Sequence, residues 1–291
     1  MKILRTGALL IFLSVLLVLA GGAIGGQNGL KIALAIAVLM NGISYFFSDK
    51  IALKSSGAQP VTREQVPRLY AVMERLTAKV NLPLPKLYVI PEAAPNAFAT
   101  GRNPRHASVA VTEGLLQLMN DDELEGVIAH ELSHVRNYDI LTSSIAATIA
   151  GAITYIASMG RWAMIFGGWG GGGRDDDREG GGSGLAAILM IFLAPLAAMF
   201  LQLGISRQRE YSADATGVRM VGQPYGLISA LQKLGAYNKR IPTTNLPPAT
   251  SALCIVKPMF GRETVSSLFS THPPLEDRIA ALREMTVIPQ R

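Results

Sequence analysis

His130, Glu131, Leu132, Ser133 and His134 spell H-E-x-x-H, and the stretch around them reads as helix. On a helix, residues four apart leave the same face, so both imidazoles can grip one metal ion while Glu131, beside them, handles a proton. A catalytic zinc takes three protein ligands and keeps one position open for water. The single cysteine, Cys254, makes a Cys-based site impossible, so the third ligand is a His, Glu or Asp. His106 and His272 qualify by type, but neither lies on a periodic element beside another acid. Glu210 is better placed, because Glu210-Tyr211-Ser212-Ala213-Asp214 has helical spacing followed by small residues at Ala215 and Gly217. Glu210 can then reach the metal while Asp214, one turn on, accepts the free ring N–H of a ligand histidine and fixes its tautomer.

These residues need elements to carry them. Asn120, Asp121 and Asp122 offer caps for the motif helix, and Glu123 and Glu125 put negative charge in its first turn. Leu124, Ile128, Leu132 and Val135 form a stripe for packing on a sheet, and no stop signal precedes residue 141, so the helix is expected to run on. Upstream, Lys86 to Ile90, Asn96 to Thr100 and Ser108 to Thr112 read as short strands. Thr62 and Gln65 form a capping-box pattern before apolar Val66, Leu69, Tyr70, Met73 and Leu76, and Pro83 and Pro85 end that helix.

The chain is 49% hydrophobic and only 16% charged, too apolar for an ordinary soluble domain. The excess is concentrated in residues 7–26, 32–48, 141–160 and 185–205, each near the ~20 residues that cross a bilayer as a helix. The expectation is four transmembrane helices in two hairpins, the first broken near Gly25 and Gln27. A signal peptide is the other reading of the first run, but the second run so close behind favours a retained hairpin. The division is 1–49, an N-terminal hairpin; 50–140, the first part of a catalytic domain; 141–205, a second hairpin with a Gly-rich loop at 167–184; and 206–291, the second part. The second hairpin accounts for the long step from His134 to Glu210. Lys50, Lys54 and Arg63 after the second span place the catalytic part in the cytoplasm. The net charge of +6 lies mostly in 206–291, where a basic face near anionic lipid explains it without nucleic acid.

With these features together, the chain resembles the HtpX-type bacterial heat-shock membrane metalloproteases and, more distantly, the CAAX prenyl endopeptidases. The carrying features are the N-terminal hairpin, Asn96-Ala97-Phe98-Ala99, His130 to His134 with Asp139 soon after, Glu210 with Asp214, and Thr271-His272-Pro273-Pro274. The resemblance covers essentially the whole chain. It implies an α-rich membrane protein with an α+β zincin-like catalytic domain, and one zinc per chain held by His130, His134 and Glu210. Glu131 is then the general base. Asn96, Ala97, Phe98 and Ala99 form an edge strand that binds substrate, and His272 approaches the scissile carbonyl oxygen. It further implies a multi-pass protein of the inner membrane, facing the cytoplasm, whose partners are the lipid bilayer and unfolded or misfolded membrane proteins. Two other readings compete: a processing protease of narrow specificity, and a membrane scaffold with a structural metal. A structural zinc is closed by four ligands and needs no free acid beside it, so Glu131 discriminates.

Overall fold

The computed structural model describes residues 2–146, 207–240, 255 and 273–285. The N-terminal segment, α1 (Lys2–Ser55), is helical along its length but not straight. Asn41 Nδ2 donates to Ser14 Oγ at 2.8 Å although 27 residues separate them. A straight helix rising ~1.5 Å per residue would hold them roughly 40 Å apart. The chain therefore doubles back between them, and Gly26, at φ 57°, supplies the left-handed residue that the reversal needs. Among the described residues, the stretch long and apolar enough to cross a bilayer is Gly26–Ser55. Most of the runs at 141–160 and 185–205, the Gly-rich loop 167–184, Cys254, Thr271 and His272 lie outside the described residues.

A four-stranded sheet follows, built from β1 (Gln59–Pro60), β2 (Lys86–Ile90), β3 (Ala97–Gly101) and β4 (Ala107–Thr112). Its order is β1-β2-β4-β3, with β2 parallel and β3 antiparallel to β4, which leaves β3 at an edge among the described residues. Period-2 alternation divides the side chains cleanly. Leu87, Val89, Ala97, Ala99, Val109 and Val111 join the main core, whereas Ile90, Phe98 and Ala110 pack against Ala52 and Leu53 at the end of α1. The end of the apolar helix is thus docked on the back of the edge strand.

The main core is closed by α2 (Pro67–Lys79), the short α3 (Glu113–Leu118), the motif helix α4 (Asp121–Arg136), α5 (Arg207–Val221), α6 (Tyr225–Arg240) and α7 (Leu275–Glu284). Two expectations are corrected. Thr62 and Gln65 do not open α2. Gln65 Oε1 accepts from Thr62 N at 2.8 Å, but Gln65 N bonds the Thr62 carbonyl at 3.2 Å, which makes a turn. Pro67 sets the real start, since it suits the first helical position and bars Val66 from helical dihedrals. Nor does α4 run on: it ends at Arg136, Tyr138 adopts φ 61°, and a helix resumes over residues 139–146. The left-handed residue redirects the chain and returns Asp139 toward the motif.

Candidate active site

The start of α4 is pinned at both ends of its capping box. Asn120 Oδ1 accepts from Glu123 N at 2.9 Å, and Glu123 Oε2 accepts from Asn120 N at 2.9 Å. Glu123 also takes bonds from Ser229 Oγ (2.6 Å) and Lys233 Nζ (2.7 Å) of α6. Burial works against ionisation of this carboxyl, but those donors prevail and hold its pKa below the usual value. The motif helix is thereby locked to α6 two turns before its chemistry begins.

His130 and His134 then project together, with ring centroids 4.8 Å apart, planes at 89° and Nε2 atoms separated by 3.2 Å. α5 brings the third group. A Cβ added to Gly217 would lie 3.2 Å from the His130 backbone nitrogen, so this glycine permits α5 to lie directly on α4. At that crossing Glu210 Oε2 stands 3.5 Å from His130 Nε2, and Glu210 Oε1 stands 3.6 Å from His134 Nε2. The ligand atoms of the three residues all lie within 4.8 Å of one another. Behind them, Asp214 Oδ1 sits 2.8 Å from His130 Nδ1, and Asp139 Oδ2 sits 3.6 Å from His134 Nδ1. Each histidine therefore turns one nitrogen to the cluster and the other toward a carboxylate.

The remaining candidates are placed differently. His106 is exposed on a short 3₁₀ turn, with Nδ1 2.8 Å from Asn103 Oδ1, and does not join the cluster. Asn96 is buried, its Oδ1 accepting from Ala97 N at 2.9 Å, so its side chain organises the start of β3. Ala97, Phe98 and Ala99 lie on that edge strand, and the Ala99 N–H meets the Glu131 carboxyl.

Sequence reasoning missed Arg278. It is fully buried, and its guanidinium forks onto Asp214, with Nε donating to Oδ2 at 2.8 Å and Nη2 to Oδ1 at 2.6 Å. Nη1 lies 3.5 Å from Glu210 Oε2. One signal could have found it. On α7, Arg278 occupies the stripe shared by Leu275, Ile279 and Leu282, where a charge has no place unless paired.

Burial dominates the electrostatics. It pushes the Glu131 carboxyl above its usual pKa, only partly countered by the two histidines. Burial likewise opposes ionisation of Asp214, yet Arg278 reverses the sign and holds it below the ordinary value. At His130, burial and the Arg278 charge favour the neutral ring, but Asp214 and Glu210 outweigh them and lift the pKa to about 9. Below that pH the ring keeps a proton that any ion held by His130 would have to displace. Ion uptake near pH 7 is therefore expected to release about one proton per ion, and affinity should climb ~tenfold per pH unit toward pH 9. Calorimetry in buffers of different ionisation heats checks this, and a pH-independent affinity would contradict it.

A helix-borne H-E-x-x-H with a buried glutamate from a later helix beside it, packed under a sheet edge, is the arrangement of a metallopeptidase. The chain belongs to peptidase family M48, which residues 63–286 match. It is similar to proteins named protease HtpX homolog. That of Desulfatibacillum aliphaticivorans is 53% identical over 96% of this chain and 88% of its own length. That of Pelotomaculum thermopropionicum is 50% identical over 99% and 100%, and that of Pyrococcus furiosus 49% identical over 97% and 96%. The fold resembles the crystal structure of S. mikatae Ste24p, with a TM-score of 0.51 at 21% identity, covering 95% of this chain and 62% of that longer one. Family and cluster together imply a bound metal ion.

Proposed function

We propose that the chain is a zinc-dependent endopeptidase, multi-pass in the cell membrane, that cleaves misfolded or damaged membrane proteins from the cytoplasmic side. The observation that carries this reading is the His130–His134–Glu210 triangle with Glu131 buried beside it and outside the ligand set. The donors suit zinc. Tetrahedral bonds of ~2.0–2.1 Å imply donor separations of roughly 3.3–3.5 Å. The two Nε2 atoms are 3.2 Å apart, one Glu210 oxygen is 3.5 Å from His130 and the other is 3.6 Å from His134, so the carboxylate faces both rings at close to that spacing. Buried Glu131, Asp139, Glu210 and Asp214 around the cluster also favour a cation over the neutral contents of an ordinary core.

His130, His134 and Glu210 would hold the ion. When bound, zinc acidifies water and polarises a peptide carbonyl. Glu131, its pKa raised by burial above the usual carboxylate value, takes a proton from the attacking water and delivers it to the leaving amine. Asp214 keeps the His130 ring in the tautomer whose Nε2 faces the cluster. His272, outside the described residues, remains a proposed donor to the carbonyl oxygen. Extended peptide would lie along β3 through main-chain bonds, which demand little sequence and suit unfolded substrates.

The membrane placement is supported by Gly26–Ser55, by its end packed on β3, and by Lys50 and Lys54 where that helix leaves the apolar stretch. A scaffold with a structural metal is less well supported, because three ligands with an acid beside them leave room for water. Protein purified in detergent is expected to cleave casein, to stop when a chelator removes the ion, and to recover with zinc but not with magnesium. Cleavage that persists in chelator would overturn the metallopeptidase reading.

A further inference from the structure

We propose that Arg278 is a positioning residue that serves both halves of the site: through Asp214 it orients the ring of His130, and through the Ile255 carbonyl it fixes where the peptide-docking edge of β3 begins. The inference rests on the function proposed above.

The first half follows from charge. A fully buried guanidinium is costly unless every donor is used. Here Nε and Nη2 bind Asp214 bidentately at 2.8 and 2.6 Å, and Asp214 Oδ1 stands 2.8 Å from His130 Nδ1. Asp214 thus cannot rotate away from the ring without breaking a charge-assisted fork.

The second half follows from the pleat of β3. Asn96 O accepts from Thr112 N at 2.9 Å, so Asn96 faces β4, as do Phe98 and Thr100 by alternation. The backbone groups of Ala97, Ala99 and Gly101 therefore point outward, along the edge that a substrate strand must use. At one end, Ala97 N–H is taken by Asn96 Oδ1, and Ala97 C=O accepts from Ile255 N at 3.2 Å. At the other, Gly101 N–H faces Ser144 Oγ at 3.4 Å. Between them lies Ala99, whose N–H meets Glu131. Among the described residues, the docking edge is thus a short stretch beside the catalytic acid, with Ile255 at one end of it. Ile255 is itself buried, and its carbonyl accepts from Arg278 Nη1 at 3.2 Å. One side chain therefore joins the metal ligand to the end of the peptide groove.

Arg278→Lys separates the two arms, because a single ammonium can neutralise Asp214 but cannot also reach the Ile255 carbonyl with a planar fork. Zinc affinity, measured by equilibrium dialysis, is expected to stay within about threefold, whereas Asp214→Asn should lose roughly 10–100-fold. In a Glu131→Gln background, Arg278→Lys should bind a fluorescent casein peptide roughly 3–10-fold more weakly, because one charged hydrogen bond no longer orders the groove. In the active background it should cut casein at additional positions. Asp214→Asn saturated with zinc should keep the original cleavage pattern. Unchanged peptide affinity and cleavage pattern in Arg278→Lys would overturn the edge arm, and unchanged zinc affinity in Asp214→Asn would overturn the metal arm. If the unaltered chain cleaves nothing, the proposed function falls, while the zinc and peptide affinities still decide the role of Arg278.

Discussion

Glu131→Gln is expected to bind zinc like the unaltered chain and to cleave an unfolded protein ~10³-fold more slowly, within the range that general acid–base groups contribute. Metal binding is spared because Glu131 lies outside the His130–His134–Glu210 set. Glutamine keeps the shape of the side chain, and its amide oxygen can still accept from the Ala99 N–H that meets Glu131. What it loses is the capacity to take a proton. The fold should not suffer, and there is a reason to expect a gain. Burial raises the Glu131 pKa above its unfolded value, so ionising this group at neutral pH costs the folded state stability. A neutral glutamine should melt no lower than the parent in chelator. Zinc binding with full cleavage would remove Glu131 from the mechanism. Zinc binding without cleavage by either protein would favour the structural-metal reading.

The site was legible in the sequence to the extent that helical periodicity carries it. His130 and His134 at four residues, and Glu210 and Asp214 at four residues, each define a face without tertiary information, and the structure brings those faces together. Strands β2, β3 and β4 were visible from β-branched and alternating residues, with boundaries within one residue of those observed. What escaped depends on contacts distant in sequence. β1 is two residues long and exists by pairing with β2, so no local pattern announces it. Tyr138 carries no glycine-like signal for its left-handed dihedral; its conformation is held by the surroundings that bring Asp139 to His134. Thr62 and Gln65 mimic a capping box because local pattern cannot weigh Pro67 against it. Arg278 stands out locally as a charge on an apolar helix stripe, but its partners Asp214 and Ile255 are brought to it only through the fold.

Glu210→Ala is the second large effect, and its expected result is loss of metal rather than loss of proton transfer. Removing a group behind a ligand costs roughly 10–100-fold in metal affinity, so removing a ligand itself should cost more than about 100-fold. The comparison with Asp214→Asn makes the assignment specific. Both residues lie on one face of α5, both are buried, and both sit close to Arg278, so general disturbance of that face would weaken them alike. If Glu210 is a ligand, its loss must exceed that of Asp214, because Glu210 faces both Nε2 atoms whereas Asp214 meets Nδ1 of His130. Glu210→Gln refines the test by retaining the volume and a neutral oxygen, and it should fall between the parent and alanine. Folding is protected in both Glu210 variants, since Arg278 keeps its bidentate partner Asp214. Zinc content after dialysis against a graded chelator would read the series directly. The order parent, Asp214→Asn, Glu210→Gln, Glu210→Ala is the one that this geometry requires. Equal affinity of Glu210→Ala and the parent would send the third ligand elsewhere.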